Sequence, residues 1–182
     1  GLIKDYKKMI TMSLKNNENL ILVIGKTEGH IDQSVFAINI LNEKKGPPPE
    51  INLLNEKNNG ETVFKLIEEG LIKSAHDVSL GGIITAVSKM AIKGKKGFKL
   101  NKLKVLINKF DYYFGEDQGR YIIEIEPKNL SKVQKILKDN SVHCDEIGLV
   151  TEKDIILDKE PIIHIDDLIK SNTNWLKEYM DK

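Results

Sequence analysis

The sequence predicts a layered domain of the α/β or α+β class. Short apolar runs closed by glycine or proline alternate with segments whose apolar residues recur at helical spacing, a pattern neither a helix bundle nor a β-sandwich produces. The 182 residues are 40% apolar and 30% charged, with both kinds spread along the chain. That is enough for one sizeable core, and unlike a disordered, collagenous or membrane chain.

The elements follow in order. Leu20 to Ile24, closed by Gly25, is an unbroken apolar run, the mark of a strand buried on both faces. Ile31 to Leu41 carries Val35 and Ile38 at helical spacing, and Gly46-Pro47-Pro48-Pro49 ends that segment because proline removes backbone donors. Ile51 to Glu69 is helical again, with a break predicted at Asn58-Asn59-Gly60 and with Val63, Phe64 and Ile67 turned inward. From Leu71 a strand leads through a polar turn to Gly81-Gly82, which opens a helix bearing Ile83, Val87 and Met90 on one face. Phe110 to Gly119 is aromatic and polar. Arg120 to Glu126 alternates, Leu130, Val133, Ile136 and Leu137 mark a helix, and Val142 to Val150 a further strand, so 120 to 150 reads as β-α-β. Asp154 to Leu157 and Pro161 to His164 are short strands, and Asp166 to Met180 is a closing helix carrying Trp175.

Composition excludes several functions. Basic and acidic residues nearly cancel, 28 against 27, without the basic excess of a nucleic-acid binder. The apolar runs fall far short of the ~20 residues of a membrane span, and the start has no signal pattern. The single cysteine, Cys144, rules out an internal disulfide and a cysteine-based zinc site, and a reducing, cytoplasmic setting is expected. The chain opens on Gly1 rather than methionine, as a tag remnant or a piece of a longer protein would.

Two clusters have the residue types of a site. In His76-Asp77-Val78-Ser79-Leu80-Gly81-Gly82 a strand end meets a helix start, where free N–H groups and the helix dipole suit a phosphate or carboxylate. The alternative is that Ser79 or Asp77 simply caps the helix. In Phe114-Gly115-Glu116-Asp117-Gln118-Gly119-Arg120, hydrogen-bonding side chains sit between glycines and Arg120 heads the next strand. Of the 28 basic residues 27 are lysine and one is Arg120, which points to a need for a planar, multi-donor fork. The alternative is a structural salt bridge to Glu116 or Asp77. Gly25-Lys26-Thr27 is no phosphate loop, since Leu20 stands where that motif needs a glycine. His143-Cys144-Asp145 is no triad, because adjacent strand residues point to opposite faces.

Taken together, Ala75 to Gly82, Phe114 to Tyr121 and Ile147-Gly148-Leu149-Val150 resemble the C-terminal part of the phosphoribosylformylglycinamidine synthase family, synthetase subunit, within the aminoimidazole ribonucleotide (AIR) synthetase superfamily. The resemblance spans nearly the whole chain. It implies an α+β, AIR synthase C-terminal-like layered domain with partial ferredoxin-like topology. Residues 1–18 would close a preceding ATP-binding, A-type domain, and residues 19–182 would form a B-type domain. It implies the ATP-dependent conversion of formylglycinamide ribonucleotide to the amidine in purine biosynthesis, with ammonia supplied by a glutaminase. ATP and Mg2+ would serve the full enzyme, with neither bound tightly by this piece. The implied partners are the preceding A and B domains, the glutaminase subunit and a small accessory subunit, with no nucleic acid and no membrane.

Residue by residue, Asp77, Ser79, Gly81 and Gly82 match the family's Asp-x-Ser-x-Gly-Gly motif, and Gly115, Glu116, Gln118 and Arg120 its Gly-Glu-x-Gln-x-Arg motif. These eight are the candidate substrate- or nucleotide-facing residues. No catalytic residue and no metal ligand is carried over, since the family's lie mostly in the domains this chain lacks. Leu80 replaces a usual acidic residue, and Gly25-Lys26-Thr27 with Asp32-Gln33-Ser34 replaces Gly-Glu-Thr with Gly-Gly-Ser. Those departures fit a copy of the site that has become structural. The expected role is therefore wall and orientation, inactive alone. The alternatives are a non-catalytic binding or assembly module, or another superfamily member such as a selenophosphate synthetase.

Overall fold

The apolar runs become strands of one mixed sheet. The computed structural model describes residues 5–101, 107–158 and 160–181. In chain order the elements are β1 (Leu20–Ile24), α1 (Val35–Asn39), α2 (Leu53–Glu68), β2 (Ile72–Val78), α3 (Gly82–Gly94), β3 (Gly97–Leu100), α4 (Lys109–Phe114), β4 (Arg120–Ile125), α5 (Leu130–Asp139), β5 (Cys144–Thr151), β6 (Asp154–Leu157), β7 (Ile163–His164) and α6 (Ile165–Met180). The sheet order is β2-β4-β1-β5-β3-β6-β7. Its pairs are antiparallel except β3 with β6.

Within this sheet, the run β5-β1-β4-β2 with α2 and α5 on one face is the split β-α-β order of a ferredoxin-like fold. The β-α-β unit read over 120 to 150 is present as β4-α5-β5, with β1 inserted between its two strands. Strand alternation divides the core. Leu22 and Ile24 of β1 face α2 and α5, meeting Val63, Leu66, Val133 and Ile136, whereas Ile21 and Val23 face Ile83, Val87 and Met90 of α3, with Tyr112 and Ile165 beyond. The central strand is thus buried on both sides, as its unbroken apolar run requires.

The structure departs from the sequence reading in α2. The helix runs through Asn58-Asn59-Gly60 without a break, because Asn59 is buried and its amide donates to the Gly119 carbonyl at 2.9 Å. Gly60 faces Tyr121, whose hydroxyl would lie 3.2 Å from an added Cβ. Phe64 is 62% exposed rather than inward, and Leu66 takes the core position at 0%. Neither β3 nor α4 is foreshadowed by periodicity, and α1 has only five residues. Leu14 lies in the core and its N–H donates to the Met90 carbonyl at 3.1 Å. Packing therefore continues across the boundary expected after residue 18, and residues 1–4 of the expected tail lie outside the described residues. No helix among the described residues is long and apolar enough to cross a membrane.

The reversal of Phe64 and Leu66 is testable. Leu66→Ala should cost about 2 to 5 kcal/mol in urea denaturation, the range for emptying a packed aliphatic site. Phe64→Ala should cost under about 1 kcal/mol, as an exposed substitution does.

Candidate functional site

The two sequence clusters meet at one end of the sheet. There β1 ends at Ile24, β2 ends at Val78 and β4 begins at Arg120, with Val78 paired to Arg120 and Asp77 to Tyr121. The sequence offered Glu116 or Asp77 as a partner for Arg120 and Ser79 or Asp77 as the helix cap, and the structure bonds these side chains differently.

Arg120 is the centre. Its side chain is fully enclosed, and each arm of the guanidinium has an acceptor. Nε donates to the Asp117 carbonyl at 3.1 Å, Nη1 to the Thr27 hydroxyl at 3.2 Å and Nη2 to the Gly115 carbonyl at 2.7 Å. Nη1 also lies 3.4 Å from Oδ2 of Asp117. Burial pulls the guanidinium below its ordinary pKa, and the Asp117 carboxylate opposes that shift. The salt bridge is therefore to Asp117, not to Glu116 or Asp77, and the Arg120 side chain ties the 115–117 loop to Thr27.

Asp117 is the residue that sequence reasoning passed over. It is buried, and its carboxylate accepts three successive backbone N–H groups: Glu28 at 3.2 Å and Gly29 at 3.0 Å on Oδ2, His30 at 3.0 Å on Oδ1. A row of convergent N–H groups is an anion-binding nest, and here the anion is the protein's own. Only its place between two glycines beside the lone arginine hinted at this role.

Glu116 does for α3 what the sequence assigned to Ser79 or Asp77. The residue before α3 is Gly81, with φ of +82° and no side-chain cap. Oε1 of Glu116 accepts from Gly81 N–H and from Val35 N–H at the start of α1, both at 2.8 Å. A carboxylate at a helix N-terminus is favoured by the free N–H groups and the dipole. Gly82, at φ +69°, cannot be replaced cheaply, since a Cβ would sit 2.6 Å from the Tyr113 carbonyl and 2.7 Å from that of Gly115. Ser79 and Asp77 remain exposed, Asp77 pairing with Nδ1 of His76 at 3.0 Å. Gln118 is exposed too, its amide reaching the Glu116 carbonyl at 3.4 Å.

The 25–34 loop is likewise occupied by its own fold. Thr27 accepts from Arg120, and buried Ser34 caps α1 by accepting from Ala37 N–H at 3.1 Å. Beside it opens a polar cleft of about 680 Å³ between this loop, Pro47-Pro48-Pro49, the first half of α2 and Asp117-Gln118-Gly119. Its lining mixes neutral amides, Asn52, Asn55, Asn59 and Gln118, with the acidic Glu28, Glu50 and Glu56 and with Lys26 and His30. Glu116 and Asp117 already accept backbone N–H groups and do not make a fitting pair of magnesium ligands. Among the described residues no three carboxylate, His or Cys side chains gather where a metal ion would sit. Elsewhere, His143 and Asp145 pair at 3.1 Å. Burial, with the Asp145 and Glu146 carboxylates adding to it, pushes the Cys144 thiol up to about 12.

Two predictions follow from this geometry. Arg120→Lys replaces a planar fork that reaches three separate acceptors with an ammonium whose donors radiate from one point, keeping the charge, and should lower stability by about 2 to 4 kcal/mol in urea denaturation. For Cys144, the folded thiol stays neutral well above the ordinary 9.0, so the stabilisation is fully present below pH 9 and is lost as pH rises towards 12. A disulfide reagent at pH 8 should therefore label the native protein at least ~100-fold more slowly than the urea-unfolded chain.

Comparison with known proteins places this geometry. Residues 16–158 match the family described as AIR synthase related protein, C-terminal domain. The chain is 67% identical over 181 residues to phosphoribosylformylglycinamidine synthase subunit PurL of Pelagibacter ubique, covering 100% of this chain and 25% of that protein. Thermotoga maritima PurL complexed with FGAR superposes with a TM-score of 0.73 at 18% identity, covering 90% of this chain and 30% of that one. The same protein complexed with ATP gives 0.68 at 17%, over 90% and 28%. The chain spans about a quarter of the length of the curated relatives it matches. The fold is thus shared with those chains, and the chain belongs to the AIR synthase related family as a C-terminal domain of that family.

Proposed function

We propose that this chain is the C-terminal quarter of a phosphoribosylformylglycinamidine synthase and forms a rigid wall of that enzyme rather than its chemical centre. The observation that carries the assignment is the 67% identity to the Pelagibacter ubique subunit along the entire chain. The role as wall rests on the accounting of polar groups. Arg120, Asp117 and Glu116, the groups with the charge to handle a phosphate or a proton, are committed to backbone and loop partners. The exposed members of the two motifs, Asp77, Ser79 and Gln118, are the ones free to orient a neighbouring ligand or domain.

In this reading the full enzyme uses ATP with magnesium to activate the formamide oxygen of the ribonucleotide. Ammonia delivered from a glutaminase subunit then displaces phosphate to give the amidine. This domain contributes no proton transfer and no metal ligand to that sequence. It holds the 25–34 and 115–120 loops still, so that the surfaces beside them meet the preceding A and B domains in one arrangement. A pre-set surface avoids ordering entropy at the moment of binding. A small accessory subunit completes the assembly, and a reducing, cytoplasmic setting agrees with the lone Cys144.

The test is a replacement. The final quarter of Pelagibacter ubique PurL is exchanged for this chain, and amidine formation from FGAR, ATP, magnesium and ammonia is followed. The chimera should turn over, the 182-residue chain alone should not, and Gln118→Ala in the chimera should change KM more than Tyr179→Ala on the far end of α6. Turnover by the isolated chain, or a folded chimera without activity, would overturn the reading.

A further inference from the structure

Glu124 is the next-to-last residue of β4, between two isoleucines, and is fully buried. An aliphatic side chain would continue the strand at that position, and burying a carboxylate is costly unless its oxygens are well bonded. The bonds it makes are all with neutral donors. Oε1 accepts from the N–H groups of Lys15 and Asn16, both at 3.1 Å, and from the Asn19 amide at 2.7 Å. Oε2 accepts from Lys15 N–H at 3.0 Å and from the Ser74 hydroxyl at 2.7 Å. Three of these four donor residues belong to one segment, the stretch leading into β1, and the fourth sits on the edge strand β2.

That segment crosses the end of the sheet. Thr11 pairs in parallel with Ser74 and its carbonyl accepts from Ala75 N–H at 3.3 Å. Leu14 packs against α3, close enough to Gly94 that an added Cβ there would meet the Leu14 carbonyl at 2.3 Å. Glu18 N–H donates to the Val150 carbonyl of β5 at 2.9 Å. The strap therefore runs from the sheet edge, over the last turn of α3, to the centre of the sheet.

We infer that Glu124 is a latch: its carboxylate locks residues 11–19 across the end of the sheet and fixes the direction from which the polypeptide enters the domain. Leu14 gives the strap its apolar anchor, but an apolar contact is non-directional. The convergence of two consecutive backbone N–H groups and two side-chain donors on one anion sets its path, since charge-assisted bonds are the stronger and more directional kind. The inference stands apart from the activity proposed above and does not depend on it.

Hydrogen exchange on the 182-residue chain tests it. In Glu124→Gln the amide NH2 points a donor at groups that are themselves donors. The Lys15 and Asn16 amides should then exchange at least ten-fold faster, and trypsin should cut after Lys15 correspondingly faster. The Ile122 and Ile123 amides should change less than two-fold. Should Glu124→Gln not fold, Asn19→Ala, which removes one donor and leaves the carboxylate in place, decides by the same readout. Equal acceleration in the strap and the β4 ladder would mean that the carboxylate only supports the fold as a whole. An unchanged strap would mean that Leu14 alone holds it. Either result overturns the latch.

Discussion

One end of this sheet is organised by a cation that cannot reach water. The Arg120 guanidinium is enclosed, and an enclosed guanidinium must place every arm on an acceptor or bear the cost of an unpaired charge. Its acceptors come from Gly115 and Asp117 on one loop and from Thr27 on another. That requirement draws the two loops together over the ends of β1 and β4. Lysine has one point of charge where three directions are needed, which accounts for the single arginine in a chain that otherwise uses lysine.

Asp117 and Glu116 extend the arrangement in opposite directions. The first gathers the 28–30 backbone beside the arginine, and the second reaches away to the starts of α1 and α3. The same residue types in the same places would make a good anion site were the carboxylates not already there. In this chain the N–H groups are filled from within. The latch at Glu124 repeats the device at the other end of the sheet: a buried carboxylate satisfied by neutral donors fixes a segment that apolar packing alone would leave loosely directed.

Much of the fold was legible because the core elements have simple periods. The run Leu20 to Ile24 and the spacing of Val133, Ile136 and Leu137 are signals that burial on two faces or one face imposes directly. What was hidden depends on distant partners. The Asn58-Asn59-Gly60 stretch looks like a break, yet Asn59 is held by the Gly119 carbonyl and Gly60 by its closeness to Tyr121, so tertiary contacts override a weak local preference. Strand β3 has only four residues, too few to show a period. The site motifs were found as patterns, but the bonding within them was not. Asp117 takes its partners from residues 28 to 30, far away in sequence, and no spacing rule links the two.

Because the chain has one arginine, its guanidinium can be watched without ambiguity. An 15N-resolved spectrum should contain a single Arg Nε–H resonance, protected from solvent exchange by at least ~100-fold relative to a free guanidinium, as a closed hydrogen-bonded site requires. The Nη protons should be resolved from one another instead of averaged by rotation. A rapidly exchanging Nε–H with averaged Nη protons would mean that the guanidinium is open to water, and that the loops at this end of the sheet are held by something else.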